Sequence, residues 1–102
     1  MNTKHYEKDR KSREEVISSI GGEGKPFKSF KINRGHKDGI EVHTVTMNAI
    51  VIITNEKSGK VITKLIARPE QIDRYYRRIN GQTPRWLIDL AKEHTKLGLN
   101  EC

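Results

Sequence analysis

The run of residues 40–67 is mostly apolar, yet it contains two side chains that could take part in proton transfer, His43 and Thr63. Cleavage of RNA through attack of its own 2′-hydroxyl requires a general base, a general acid and cations near the phosphorane. Histidine suits the first two roles because its unperturbed pKa is about 6.5, and arginine or lysine suits the third. His5 and Arg10 precede the run in a basic segment. These four residues are the candidate catalytic side chains.

Each candidate also has a purely structural interpretation. His43 could be a half-buried strand residue hydrogen-bonded to Thr54, and Thr63 could favour an extended backbone simply because it is β-branched. His5 could be a solvated residue of the charged N-terminal segment. His94 falls on the predicted exposed side of the last helix and is the weakest candidate. The sequence leaves both interpretations open.

Residues 40–67 predict three β-strands joined by two tight turns. Asn48 and Ala49 occupy the position of a two-residue hairpin turn, and asparagine tolerates the positive φ that such a turn requires. Gly59 ends a second, polar turn, where it can adopt positive φ before the next strand. A short strand around Phe30 precedes this run. The sequence therefore predicts a four-stranded, mainly antiparallel meander.

A two-residue turn at Asn48 would fix the register of this sheet. It pairs His43 with Thr54, and the second turn then pairs Ile52 with Thr63. Both pairs would lie on one face because side chains alternate along a strand. The apolar residues predicted to share this face are Val45, Met47, Ile50, Ile52, Val61 and Leu65. The prediction is an imidazole beside two hydroxyls on an apolar surface.

A short helix is predicted before the sheet. Ser12 and Glu15 match a capping box at its start, and Gly21 follows its last apolar residue. The preceding segment, residues 1–11, is densely charged and is either part of the fold or a mobile basic arm. Tyr6 is the residue of this segment whose side chain could join a hydrophobic core.

Two further helices are predicted after the sheet. Pro69 fits the first turn of one helix, and Thr83 fits the N-cap of a second helix that stops at Gly98. The second helix should close over the sheet, or else contact a second copy in a homodimer; a small domain can rarely spare its apolar stripe. Residues 1–102 are therefore predicted to form a single α+β domain with an N-terminal helix, a meander and two C-terminal helices.

The net charge of +7 is distributed unevenly. Residues 1–37 hold ten Lys/Arg and five Asp/Glu, residues 38–67 hold three of each, and residues 68–102 hold seven and five. Positive charge thus flanks a neutral sheet, which favours phosphate-rich partners such as RNA or DNA. Solubility alone is the other explanation of this charge.

Several classes of function are not favoured by the sequence. No apolar window is long enough for a membrane span and no secretory signal is visible, which predicts a cytoplasmic protein without membrane contact. The lone cysteine, Cys102, cannot form an internal disulfide. The four scattered histidines give no zinc-ligand spacing, and nucleotide-binding and nucleophile-elbow motifs are absent. The prediction is that no cofactor is bound.

A basic stripe follows the sheet. Arg74, Arg77 and Arg78 occupy the side of the predicted helix opposite its apolar residues, and Arg68 and Lys64 complete the predicted nucleic-acid-binding set. Charged residues on the solvated side of a helix are ordinary, so the stripe could also lack a ligand. Two tyrosines at positions 75 and 76 could stack on bases or belong to the core.

The order of these motifs resembles that of a group of small bacterial toxin-type ribonucleases, the RelE, BrnT and colicin-like fold. In many of these sequences an early His and Arg precede a helix of the form S-x-E-E-V-x-x-x-I and a glycine, and a strand of the type G-x-V-I-T follows. Here His5, Arg10, residues 12–21 and residues 59–63 stand in those places. The resemblance implies RNA cleavage in which His5, Arg10 and the threonine of the last segment take part.

Two hypotheses follow from the sequence. One is a metal-independent endoribonuclease of the toxin type, produced together with a cognate inhibitor. The other is a non-catalytic accessory protein of a phage or mobile element, which binds nucleic acid or an acidic host protein. Both place the ligand on the basic flanks of the sheet, and they differ in whether His43 performs chemistry.

Overall fold

Short apolar runs separated by polar turns produce seven secondary-structure elements in the computed structural model, which describes residues 13–33 and 39–99. In chain order the elements are α1 (Arg13–Ser19), β1 (Pro26–Asn33), β2 (Ile40–Thr46), β3 (Ile50–Asn55), β4 (Val61–Ile66), α2 (Pro69–Arg78) and α3 (Arg85–Lys96). The sheet is antiparallel with the order β1-β2-β3-β4, so the predicted α+β meander is confirmed. His5, Arg10 and the predicted N-terminal arm lie outside the described residues.

Helices cover both faces of the sheet, but unequally. α2 and α3 pack on the face that carries Phe30, Val45 and Val51, which we call the two-helix face. α1 packs on the opposite face, against Ile50 and Ile66. The larger core therefore lies on the two-helix face, where a sheet with an apolar side and two amphipathic helices bury one another.

The β2–β3 loop contains three residues, 47–49, and not the predicted two. Ala49 has a φ of 58°, and its N–H donates to the carbonyl of Thr46 at 3.0 Å. These features are typical of a type I turn followed by a residue in the left-handed region. The two-residue prediction was wrong because Ala49, and not Asn48, adopts the positive φ.

The additional loop residue shifts the pairing of β2 and β3 by one position. His43 pairs with Ile53 and not with Thr54, and Ile53 in turn pairs with Thr63. Because side chains alternate, the shift exchanges the two faces of β3. Ile53 therefore faces α2 and α3, where the prediction had placed Ile52. His43 and Thr63 still share a face, with one strand between them.

The hydroxyl of Thr46 connects the hairpin loop to the segment before β1. This fully buried side chain donates to the carbonyl of Glu23 and accepts from the backbone N–H groups of Asn48 and Ile50, each at 3.1 Å. The amide of Asn48 donates to the carbonyl of Gly22 at 2.7 Å. These bonds hold the α1–β1 connection against the hairpin.

The two C-terminal helices begin differently. α2 has Pro69 in its first turn, as predicted. α3 begins at Arg85 after Pro84, and the predicted cap by Thr83 is wrong: its hydroxyl donates to the Asp73 carboxylate on α2 at 2.8 Å. The bond ties the start of α3 to α2 and leaves the first turn of α3 without a side-chain cap.

α3 belongs to the core of the monomer, which is the preferred of the two predicted placements. Leu87 and Ala91 are fully buried against the two-helix face. At its ends the helix is more open, because Trp86 and Leu97 are 41% and 62% exposed. Among the described residues, no helix combines the length and apolar character that a membrane span requires.

The structure predicts that Thr46→Val destabilises the fold by about 3 kcal/mol, because the isosteric change leaves three backbone groups without their hydrogen-bond partner. Thr44→Val is the matched control: among the described residues, the Thr44 hydroxyl bonds to the hydroxyl of Ser29, at 2.9 Å on an exposed surface. We expect the control to change the free energy of unfolding by less than about 0.5 kcal/mol. Urea unfolding followed by circular dichroism measures both, and equal losses would contradict the role assigned to Thr46.

Candidate functional site

A cleft of about 410 Å³ opens on the two-helix face beside α2. The sheet contributes Ile32, His43, Ile53 and Leu65 to its lining, and the start and body of α2 contribute Arg68, Glu70, Gln71, Arg74, Tyr75 and Arg78. Its size is in the range of sites that hold a nucleotide-sized ligand. The cleft combines an apolar base with a polar and largely cationic rim.

Three side chains form a hydrogen-bonded chain beside this cleft, and two of them, His43 and Tyr75, line it. Nε2 of His43 lies 2.9 Å from Oε1 of Glu41, and Nδ1 lies 2.6 Å from the hydroxyl of Tyr75. A carboxylate accepts hydrogen bonds, so Nε2–H of a neutral ring donates to Glu41 and Nδ1 accepts from Tyr75. Gln71 approaches the same hydroxyl at 3.4 Å. The imidazole is thus held in one tautomer and orientation.

The residue spacing along β2 and along α2 brings these hydrogen-bonded side chains together. Glu41 and His43 are two residues apart on β2 and therefore share a face, and Tyr75 lies one turn after Gln71 on α2. The Tyr75 ring stacks on Phe30 at 5.2 Å, with an interplanar angle of 12°. Tyr75 is consequently a core residue that also lines the cleft, and of the two interpretations that its sequence position allowed, the core interpretation agrees with the structure.

Tyr76 is likewise unavailable to a base. Its side chain is buried, its ring meets Phe30 edge to face at 5.2 Å, and burial raises the pKa of its phenol. Both tyrosines therefore follow the core interpretation of the sequence pattern. Their helical spacing with Ile72 predicts that at least one of them is buried in the core, but the contact of both rings with Phe30 on β1 could not be predicted from the sequence.

Burial limits which atoms a ligand could reach. His43 is 4% exposed and Tyr75 is 7% exposed, and the hydroxyl of Tyr75 and both ring nitrogens of His43 are engaged in hydrogen bonds, so both side chains line the cleft from its buried side. An imidazole behind a phenol, with a carboxylate behind the imidazole, can accept the phenol proton while the carboxylate stabilises the resulting cation. The arrangement suits proton transfer at Tyr75.

Arginines surround the mouth of the cleft. Arg74 and Arg78 are one helical turn apart, both are exposed, and neither side chain makes an ion pair or hydrogen bond with another residue in the described part of the chain. Arg68 lines the same cleft. Glu70 also lines the cleft, so the lining formed by the described residues contains three arginines and one carboxylate. Arg77 points elsewhere and lies 3.8 Å from Asp73.

The structure does not bring Thr63 and Lys64 into the cleft. Thr63 is separated from His43 by β3, a distance of roughly 10 Å, and its hydroxyl lies 3.4 Å from a guanidinium nitrogen of Arg13. Lys64 lies on the opposite face and pairs with Glu23, a bond that raises the pKa of its ammonium group. Neither prediction gains support from this geometry.

His94 is buried, although it was predicted to be exposed. Its side chain is 4% exposed, and Nδ1 has no hydrogen-bond partner among the described residues. Burial lowers the pKa of this imidazole, while the charge of neighbouring Glu93 acts in the opposite direction. The prediction failed because the C-terminal turn of α3 packs more closely than its mixed sequence indicates.

Sequence reasoning selected His43 but missed Glu41, Gln71 and the hydroxyl of Tyr75. The alternation of β2 could have linked Glu41 to His43, and the helical spacing could have linked Gln71 to Tyr75. The contact between these two pairs depends on how α2 crosses the sheet. No group of three or more His, Cys, Asp or Glu side chains within residues 13–33 and 39–99 is arranged to hold a metal ion.

Comparison of the chain with protein-family models, with curated proteins and with solved structures found no match in any of the three. The assignment of a function therefore depends on the geometry and charge of the cleft.

We predict that acidification destabilises the protein through His94. Because its pKa is lowered in the folded state, the unfolded chain binds a proton at this residue first as the pH falls below about 6.5. Stability should therefore decrease below that pH and level off once the folded protein also binds the proton. His94→Leu should reduce this loss of thermal stability between pH 7.5 and pH 5. An unchanged pH dependence in the variant would contradict the prediction.

Proposed function

We propose that this protein binds the phosphate backbone of nucleic acid, RNA or DNA, in the cleft beside α2. The observation that carries the proposal is the convergence of Arg68, Arg74 and Arg78 on one concave surface. Guanidinium groups form bidentate, charge-assisted hydrogen bonds with phosphate oxygens and keep their charge at any physiological pH. Arg74 and Arg78 are exposed and make no ion pair within residues 13–33 and 39–99, so the site matches an anionic ligand in charge and in geometry.

The remaining charge of the chain supports the same ligand. The net charge is +7, and a neutral sheet separates two basic flanks. Release of counterions from a nucleic acid would therefore contribute to binding. The lining of the cleft also includes Ile32, Ile53 and Leu65, which offer an apolar surface to a sugar or base beside the bound phosphate.

Removal of the cleft arginines should weaken binding to a labelled single-stranded RNA. We expect Arg74→Gln and Arg78→Gln each to reduce affinity, and each to lower the slope of log K against log salt by roughly 0.7, the value for one lost phosphate contact on a single strand. Arg77→Gln is the matched control. It removes the same charge from the same helix, and Arg77 is not among the residues that line the cleft. Fluorescence anisotropy at several salt concentrations gives both quantities.

Three results of this experiment would count against the proposal. Absence of RNA binding by the folded protein would overturn it. An equal loss of affinity in Arg77→Gln would show that binding depends on the general positive charge of the protein and not on the cleft. Tighter binding of polyglutamate than of RNA at matched charge would favour an acidic protein partner. DNA of the same sequence, measured in parallel, shows whether the ribose contributes.

A second candidate function is metal-independent cleavage of the bound RNA, and the hydrogen-bonded chain of Tyr75, His43 and Glu41 favours it. In this reaction the Tyr75 oxygen accepts the proton of the ribose 2′-hydroxyl while its own proton moves to Nδ1 of His43. The O2′–P bond forms and the P–O5′ bond breaks. The proton then returns through Tyr75 to the leaving 5′-oxygen, and Arg74 stabilises the phosphorane.

The cleavage reaction has a specific test. RNA incubated with the protein in EDTA should yield 2′,3′-cyclic phosphate ends, and DNA of the same sequence should remain intact. Tyr75→Phe, which keeps the ring that packs on Phe30, should reduce the rate by about 100-fold or more without loss of RNA binding. Arg77→Gln should cleave normally.

Two outcomes would exclude catalysis at this site: no cleavage at high concentrations of folded protein, or full activity in Tyr75→Phe. The predicted roles of His5 and Arg10 concern residues outside the described part of the chain. Substitution of His5 by alanine in the same assay tests the role of His5 separately, because the proposed proton transfer at Tyr75 does not use this side chain.

A further inference from the structure

Two aromatic side chains are exposed together at the β1 edge of the molecule. Phe27 on β1 is 40% exposed and Trp86 on α3 is 41% exposed. Their ring centroids are 5.0 Å apart and the rings meet edge to face, at 79°. Large apolar side chains of this kind are usually buried in a small domain, and the core contains Tyr75 and Tyr76 instead. The exposed pair therefore needs its own explanation.

An irregularity in β1 places Phe27 in this position. Pro26 pairs with Thr46 and Lys28 pairs with Val45, so Phe27 is an extra residue in the strand. A β-bulge redirects the side chain of the inserted residue and interrupts the regular alternation. The bulge brings the Phe27 ring against Trp86 in the first turn of α3.

Positive charge surrounds the two rings along the chain. Lys25 and Lys28 flank Pro26 and Phe27, and both are exposed. Arg85 precedes Trp86; its side chain is 92% exposed and lies 4.0 Å from the exposed carboxylate of Asp89. We call Phe27, Trp86, Lys25, Lys28 and Arg85 the aromatic patch.

We propose that the aromatic patch binds an unpaired base of a nucleic-acid strand, which stacks on the exposed ring of Trp86 or Phe27 while the cations contact the neighbouring phosphates. Exposed aromatic rings with adjacent Lys and Arg are the features that sequence-tolerant single-strand binding requires. The positive charge favours a polyanion over an apolar peptide or a second copy of this basic chain. The inference rests on the proposed binding of nucleic acid, and it adds recognition of bases to recognition of phosphates.

Trp86 is the single tryptophan of the chain, so its fluorescence reports on this patch alone. We expect a single-stranded RNA oligonucleotide to quench the emission of the wild-type protein on binding. An abasic oligonucleotide of the same length and charge should still bind through its phosphates but should leave the emission nearly unchanged. It should also bind about 5- to 150-fold more weakly, the range for loss of one stacked base.

Variants extend the test. Phe27→Ala should weaken binding of the RNA oligonucleotide and bring its affinity close to that of the abasic one. Val61→Ala is the control, because Val61 is a similarly exposed apolar residue on the distant edge strand β4. Circular dichroism and thermal unfolding verify that both variants fold, and the abasic comparison on the wild-type protein needs no substitution.

The outcomes separate this inference from the proposed function. Failure of the folded protein to bind either oligonucleotide would overturn both. Equal affinity and no quenching with both oligonucleotides would overturn the aromatic patch alone and leave the arginine cleft in place. A blue shift of Trp86 emission that follows protein concentration, with a dimer in sedimentation, would assign the patch to self-association and also overturn the inference.

Discussion

The register of the β2–β3 hairpin is the constraint on which the rest of the structure depends. A three-residue loop with Ala49 in the left-handed region sets this register, and the buried hydroxyl of Thr46 holds the loop by bonds to three backbone groups. A shift by one residue would turn every side chain of β3 to the other face. Ile53 would then leave the base of the cleft. Because Asn48 also binds the α1–β1 connection, the same loop fixes the position of α1.

The register also sets the position of His43 in the cleft. With Ile53 beside it, His43 lies under α2, where Tyr75 and Glu41 satisfy both of its ring nitrogens. A buried imidazole without partners would be costly, and a satisfied one is rigid. These hydrogen bonds therefore stabilise the packing of α2 on the sheet beside the cleft. Structural and chemical roles are compatible in this arrangement, because His43 and Tyr75 are both held by hydrogen bonds and both line the cleft.

Two surfaces of different character result from the way the helices lie on the sheet. The flank of α2 presents Arg74 and Arg78 to the cleft, whereas the start of α3 meets the bulged β1 and exposes Trp86 beside Phe27. Arginine recognises phosphate by charge and planar geometry, and aromatic rings recognise the faces of bases. A nucleic-acid strand offers both groups in alternation. We therefore propose one class of ligand for both surfaces.

The sequence by itself determined the order of elements, because period-2 and period-3.6 apolar patterns bounded by glycine and proline are local properties of the chain. It also indicated the basic stripe of α2 and identified His43 as a candidate catalytic residue. It could not determine the loop length at Ala49, since a left-handed alanine is stabilised by the surrounding hydrogen bonds and not by its own preference. Glu41, Tyr75 and Phe27 became recognisable only in the tertiary structure. Their roles arise from contacts between β1, β2 and the helices, and such contacts depend on packing across elements that are distant in the chain.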